Sequence, residues 1–189
     1  MEPWDRRFVL ARVQTIGVDE LVAETEPSSA LADRVVSGLE FAASRGVEMP
    51  RRLVFREAED EPTFTARYVP PADALIVAVD DLFWRNPERE MARFFRQRIF
   101  PSANPDFPVL HELGHRTHYL ALSDPARWSA FRAMRLSRTE RRIVDAEVGR
   151  NAASDPLEFV ADVYAAQLDG RTFSALVMAI YLRYGGPPR

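Results

Sequence analysis

His111, Glu112 and His115 fall within the run His111-Glu112-Leu113-Gly114-His115-Arg116-Thr117-His118, which holds every histidine of the 189-residue chain. On an α-helix, residues four apart are offset by about 40° and one turn, so the two imidazoles can converge on one metal ion. Glu112 lies about 100° around from His111, too far to act as an equivalent ligand but close enough to reach a water bound to that metal. The spacing therefore separates two roles, metal ligand for the histidines and general base for the glutamate. Leu110, Leu113, Thr117, Leu120 and Ala121 are expected on the opposite side of this helix, facing the core.

Two histidines leave a zinc site one protein ligand short. His118 shares the face of His111 but stands about 10 Å farther along a continuous helix, out of reach of the same ion. The metzincin pattern is excluded, because His118 fills the position of its helix-breaking glycine and Ala121 the position of its last histidine. His118 is expected as a hydrogen-bonded residue at the cleft edge, with a substrate-side role as the second option. Downstream, Asp155-Pro156-Leu157-Glu158-Phe159-Val160-Ala161-Asp162 offers a carboxylate at Glu158. Asp155-x-x-Glu158 also matches a capping box, in which Glu158 reaches back to the N–H of Asp155. The histidine run upstream favours the ligand role, and Asp155 can cap alone.

The pairing of HExxH at 111–115 with Glu158-x-x-Ala161-Asp162 resembles the gluzincin clan of zinc metallopeptidases, over roughly residues 60–185. In that clan the HExxH helix is completed by a glutamate on a later helix at variable spacing, here 43 residues after His115. Small single-domain gluzincins and lethal-factor-like catalytic domains are the closer comparison in overall plan. The ExxAD segment also looks like that of HELGH-bearing membrane proteases, whose membrane spans find no counterpart in this sequence. The resemblance implies one zinc ion held by His111, His115 and Glu158, with Glu112 as the general base in peptide-bond hydrolysis. Asp162, four residues after Glu158 on a helix, would share its face and receive the ring N–H of a ligating histidine. Ala161 is small enough for close helix approach. Resembling enzymes add a tyrosine or histidine that stabilises the oxyanion, for which Tyr184, Tyr181 and His118 are the candidates. They also bind extended substrate along an edge strand, here residues 64–69 or 74–79. The expected partner is thus a peptide or protein substrate. The alternatives are a catalytically silent zincin-fold binding module and a zinc hydrolase of a non-peptide amide or ester.

The elements that must carry these residues follow from patterning. A helix is expected from Ser29 to Gly46, then extended segments at 53–56, 64–69 and 74–79. Asn86-Pro87 opens a helix with Met91, Phe94, Phe95 and Ile99 on one face. Further helices are expected from Val109 to Leu122, from the turn Ser123-Asp124-Pro125, from Ser154-Asp155-Pro156 to about Asp169, and from Thr172 to Tyr184. The expected class is α+β, zincin-like, with a small, mostly antiparallel sheet and a cleft above the HExxH helix. One domain spans 1–189, divided into an N-terminal helix or arm (1–28), an upper subdomain with sheet and HExxH helix (29–122), and a helical lower subdomain carrying the glutamate helix (123–189).

Composition narrows the chemistry. With 47% hydrophobic residues, a chain of this length can bury a core without covalent staples. The absence of cysteine excludes disulfides, thiolate zinc sites, iron–sulfur clusters and cysteine nucleophiles. All 25 basic residues are arginine, so lysine-dependent Schiff-base and P-loop chemistry is excluded too. A net charge of -3 supplies no general field for nucleic acid, and no nucleic-acid partner is expected. No apolar run approaches the roughly 20 residues a bilayer requires, which makes the cytoplasm the expected location, with no membrane partner.

Overall fold

A computed structural model describes residues 4–58, 65–122 and 124–188; the expected strand start at Phe64 and the turn residue Ser123 lie outside them. Among the described residues, eight α-helices and four strands follow in the order α1 (Arg6–Thr15), β1 (Glu20–Ala23), α2 (Ser29–Ser44), β2 (Arg52–Arg56), β3 (Ala66–Val69), β4 (Ala74–Ala78), α3 (Pro87–Arg96), α4 (Phe107–Ala121), α5 (Pro125–Ala133), α6 (Arg138–Glu147), α7 (Pro156–Leu168) and α8 (Ala175–Arg183). The chain is α+β.

The strands are ordered β1-β2-β4-β3. β1 pairs with β2 and β2 with β4 in parallel, and only β3 runs antiparallel, beside β4 at the sheet edge. This corrects the expected mostly antiparallel sheet. The reason is the helical crossover α2, which returns the chain so that β2 runs in the direction of β1. β3 then reverses direction once, and β4 turns back to insert between β2 and β3. Residues 1–28, read from the sequence as a short helix or arm, supply α1 and β1. Val9, Val13 and Leu21 from this segment are buried in the core, and β1 forms the sheet edge opposite β3.

Local chemistry accounts for the helix starts. Asn86 caps α3 by accepting from the N–H of Arg89, with Pro87 at the first helical position. Met91 is fully buried and Phe94 packs on the core, but Phe95 is exposed, so the apolar face of α3 is narrower than its sequence suggests. Asp155 caps α7 by accepting from the N–H groups of Leu157 and Glu158.

Buried side chains form two clusters. One joins α1, α2, the sheet and α4; the other joins α5, α6, α7 and α8. Helix α7 belongs to both, with Phe159, Val160 and Val163 in the second cluster and Tyr164, Ala165 and Leu168 in the first. Its main partner is α4, which also packs against β3 and α2. Leu110 and Leu113 of α4 face the core as expected, whereas Leu120 and Ala121 are exposed because the last turn of α4 runs past it. No helix among the described residues is long and apolar enough to cross a membrane.

Candidate metal centre

Helices α4 and α7 touch backbone to backbone at Gly114 and Ala161. A Cβ at Gly114 would stand 2.8 Å from the carbonyl oxygen of Ala161 and 2.9 Å from its Cα, a gap that only glycine permits. This crossing brings Glu158, one turn before Ala161, up to the two histidines. Its Oε2 lies 3.2 Å from His111 Nε2 and its Oε1 3.3 Å from His115 Nε2. Asp162, one turn further along α7 and fully buried, approaches the far side of the first ring, with Oδ1 2.7 Å from His111 Nδ1. The two imidazoles meet edge to face at 4.6 Å between centroids.

An ionised Asp162 can only accept, which places one proton of His111 on Nδ1 and leaves Nε2 as the group that faces Glu158. At 3.2 Å from a Glu158 oxygen, Nε2 must carry a second proton or a metal ion, because two bare acceptors repel. Ligands on a tetrahedral ion with bonds of 2.0–2.1 Å stand about 3.3 Å apart, close to the 3.2 and 3.3 Å that separate the two Glu158 oxygens from His111 Nε2 and His115 Nε2. His111, Glu112 and His115 also present ligand atoms within 4.8 Å of one another, so this cluster can hold a metal ion. Of the two glutamates, Glu158 faces both Nε2 atoms, whereas Glu112 is partly engaged elsewhere. Its Oε2 accepts the backbone N–H of Tyr68, on β3, at 2.7 Å.

The local field separates the two carboxylates. Burial pushes Glu158 up, but His115 and His111 overcome it and hold the group well below its ordinary value. For Glu112 burial wins over the same histidines and the Tyr68 N–H, and its affinity for a proton rises. Burial disfavours charge on His111, yet Asp162 and Glu158 raise it well above the usual imidazole value. The site thus favours a cation between its rings, next to one carboxylate that stays ionised and another suited to holding a proton. His115 is oriented differently, because its Nδ1 is buried without a hydrogen-bond partner. Packing against Trp128, 5.8 Å away and nearly perpendicular, sets its ring.

Two positioning features had no motif to announce them. Asn151 donates through Nδ2 to Glu158 Oε2 at 3.0 Å and to Asp162 Oδ2 at 3.1 Å, tying the carboxylates together. The segment before α7 places it by backbone pairing, with Arg150 N–H to Arg98 O and Asn151 N–H to Ile99 O. Gly149 makes this possible, since a Cβ there would stand 2.7 Å from Ile99 O. The second feature is Arg116, four residues after Glu112 on α4. It forms a bidentate pair with Asp73 at 2.7 and 3.1 Å, and Asp73 also accepts the hydroxyl of Tyr68. Helix α4 therefore holds β3 and the turn beyond it at two points, Tyr68 N–H and Asp73.

A cavity of about 330 Å³ opens beside His111, Glu112, Asn151 and Glu158. None of the three residues expected to stabilise an oxyanion, Tyr184, Tyr181 and His118, lines it. Helix α4 continues unbroken to Ala121 and turns His118 toward α5 and α8. There His118 is fully buried between Trp128 and Phe131, with Nε2 2.9 Å from the carbonyl of Tyr184, and burial pushes its pKa down to about 4. The Tyr181 hydroxyl donates to Pro187 O and that of Tyr184 to Glu140. No protein-family model, curated protein or solved structure matches the chain.

Proposed function

We propose that the protein is a zinc-dependent metallopeptidase of zincin-like architecture. The observation that carries this reading is the meeting of His111, His115 and Glu158 from two distant stretches of chain, with Glu112 beside them and Asp162 behind. The donor set of two imidazoles and one carboxylate, open on one side to a cavity, suits a catalytic zinc rather than a closed structural one. Zinc bound there by His111, His115 and Glu158 would supply Lewis acidity and an acidified water.

The chain's own groups divide the remaining work. Glu112 takes the proton of the attacking water on its carboxylate, holds it because burial favours the neutral acid, and returns it to the departing amine. Asp162 keeps the His111 proton on Nδ1, so that Nε2 remains the ligating atom. Asn151 restrains the Glu158 carboxylate. The edge position of β3 supports binding of an extended peptide. Tyr68 directs its N–H outward to Glu112, and by alternation Ala66, two residues earlier, turns its backbone groups the same way.

The test is metal analysis and turnover of a mixed peptide library by three proteins. Wild type should carry one zinc and cleave peptides. Glu112→Gln should keep the zinc and lose turnover, and Glu158→Ala should lose the zinc. Undiminished turnover in Glu112→Gln, or full zinc content in Glu158→Ala, rejects the reading.

A further inference from the structure

We propose that the cavity beside the metal site is a subsite for one large apolar side chain, aromatic above all, next to the substrate bond that is cleaved; this rests on the hydrolase reading above. Away from the catalytic end its walls are Ala66, Phe83, Phe94, Phe100, Phe107 and Pro108, with Thr65 as the polar residue among the described lining. The phenylalanines come from four separate places: the turn after β4, helix α3, the loop between α3 and α4, and the first residue of α4. Three of the rings form a connected set, with Phe94 against Phe100 at 5.7 Å and Phe100 against Phe107 at 5.5 Å. Phe100 and Phe107 in turn lie 6.3 and 6.2 Å from the ring of His111, so the apolar wall continues to the metal ligand itself.

The distribution of charge selects the occupant. Although 25 arginines are spread through the chain, none of the described ones lines this cavity, and among the described residues its charged lining groups stand at the catalytic end. An acidic or basic side chain entering it would be desolvated without a partner. A methyl group would leave much of the space unfilled and its wall without contacts. The volume is at the lower end of the range for ligand sites and suits a single bulky side chain. Ala66 links the cavity to the backbone register, because it forms part of the wall and lies on β3, two residues before the strand's contact with Glu112. A peptide extended along β3 presents alternate side chains to one face, and the one opposite Ala66 would enter among the phenylalanines while its carbonyl stays near Glu112. Phe94 and Phe100 are half-buried, leaving the entrance open.

The experiment uses the zinc-loaded full chain and three amino-acid hydroxamates that differ only in side chain: benzyl from phenylalanine, methyl from alanine, and carboxymethyl from aspartate. Calorimetry measures each affinity. Burial of the ring should make the benzyl compound bind about tenfold or more tightly than the methyl one, and the aspartate compound should bind weakest. Ala66→Phe, which fills the cavity, and Phe94→Ala, which removes a wall, should each bring the benzyl-to-methyl ratio down to about two or less; the second variant provides the readout if the first does not fold. Equal zinc-dependent binding of benzyl and methyl compounds, or a benzyl preference that survives both substitutions, overturns the subsite while leaving the hydrolase reading intact. Absence of zinc-dependent binding by any of the three overturns both.

Discussion

Gly114→Ala is the most informative single substitution, because it adds one carbon at the point where α4 and α7 cross. That carbon would meet Ala161 O at 2.8 Å and Ala161 Cα at 2.9 Å, against ordinary carbon contacts of about 3.5–4.0 Å. The helices must therefore separate by roughly 0.7–1 Å at the crossing. Glu158 is one turn from Ala161, and its distances of 3.2 and 3.3 Å to the two imidazoles widen by a similar amount. Metal coordination tolerates only about 0.2 Å, so zinc affinity should fall at least about tenfold, or about 1.4 kcal/mol. Stability is a blunter measure. Overpacking costs about 1–3 kcal/mol, but replacing a mid-helix glycine with alanine returns about 1 kcal/mol. Gly38→Ala on α2 is the matched control, since its Cβ would meet Asp106 and Val109 at 3.4–3.5 Å, within normal contact. Competition with a chromophoric chelator measures affinity for wild type and both variants, with urea unfolding in parallel. If Gly114→Ala binds zinc as tightly as Gly38→Ala does, close helix approach is not what brings Glu158 to the histidines.

Three further outcomes are expected. Asn151→Ala removes both hydrogen bonds that tie Glu158 to Asp162, and the same chelator titration should show zinc affinity about 10-fold lower; unchanged affinity would make Asn151 a bystander. Asp73→Ala leaves Arg116, which is 7% exposed, without its bidentate partner, and urea unfolding should show a loss of about 3 kcal/mol; a loss below about 0.5 kcal/mol would mean that solvent already screens the pair. His118 is neutral in the fold, with a pKa near 4 against an ordinary 6.5, so the unfolded chain binds its proton first as the medium is acidified. The stability it contributes is full above about pH 6.5 and is lost as pH falls toward 4, roughly 2 kcal/mol of that loss lying between pH 7 and pH 4.5. Metal-free His118→Gln, compared with metal-free wild type at those two pH values, should lose less stability by about that amount; an identical decline in both would show that His118 is not the titrating group.

How far the sequence discloses the molecule depends on whether a feature is local. The spacing of His111, Glu112 and His115 and the caps at Asn86 and Asp155 are decided within one or two turns of helix, and each can be read directly. β1 is different. Its apolar content is little more than Leu21 and Val22 between Glu20 and Glu24, too short for any period, and its strand character comes from pairing with β2. The parallel sense of the sheet followed from that missing strand. Asn151 was equally hidden, because its role arises from the docking of residues 149–151 on the backbone of residues 98–99, a contact between segments some 50 residues apart. The phenylalanine-lined cavity has the same origin: Met91 and Phe94 read as one face of a helix, and periodicity says nothing about space left between elements.

Glu140 and Glu158 isolate the limit of local reasoning. Both stand three residues after a capping side chain. In α6 the capping box closes: Ser137 accepts from the Glu140 N–H, and Glu140 reaches back to the Ser137 N–H at 2.8 Å. In α7 only the first half forms, with Asp155 accepting from the Glu158 N–H, while the Glu158 carboxylate turns away to His111, His115 and Asn151. A backbone N–H donating to an ionised carboxylate contributes about 1.5–3 kcal/mol, and two imidazoles sharing positive charge, with an amide donor beside them, offer the same carboxylate several such partners at once. The helix start is served by Asp155 alone, leaving its third residue free to act across the fold. Whether a glutamate at that position closes a cap or reaches a distant site is decided by what the neighbouring helix presents, and here α4 presents two histidines within 3.3 Å.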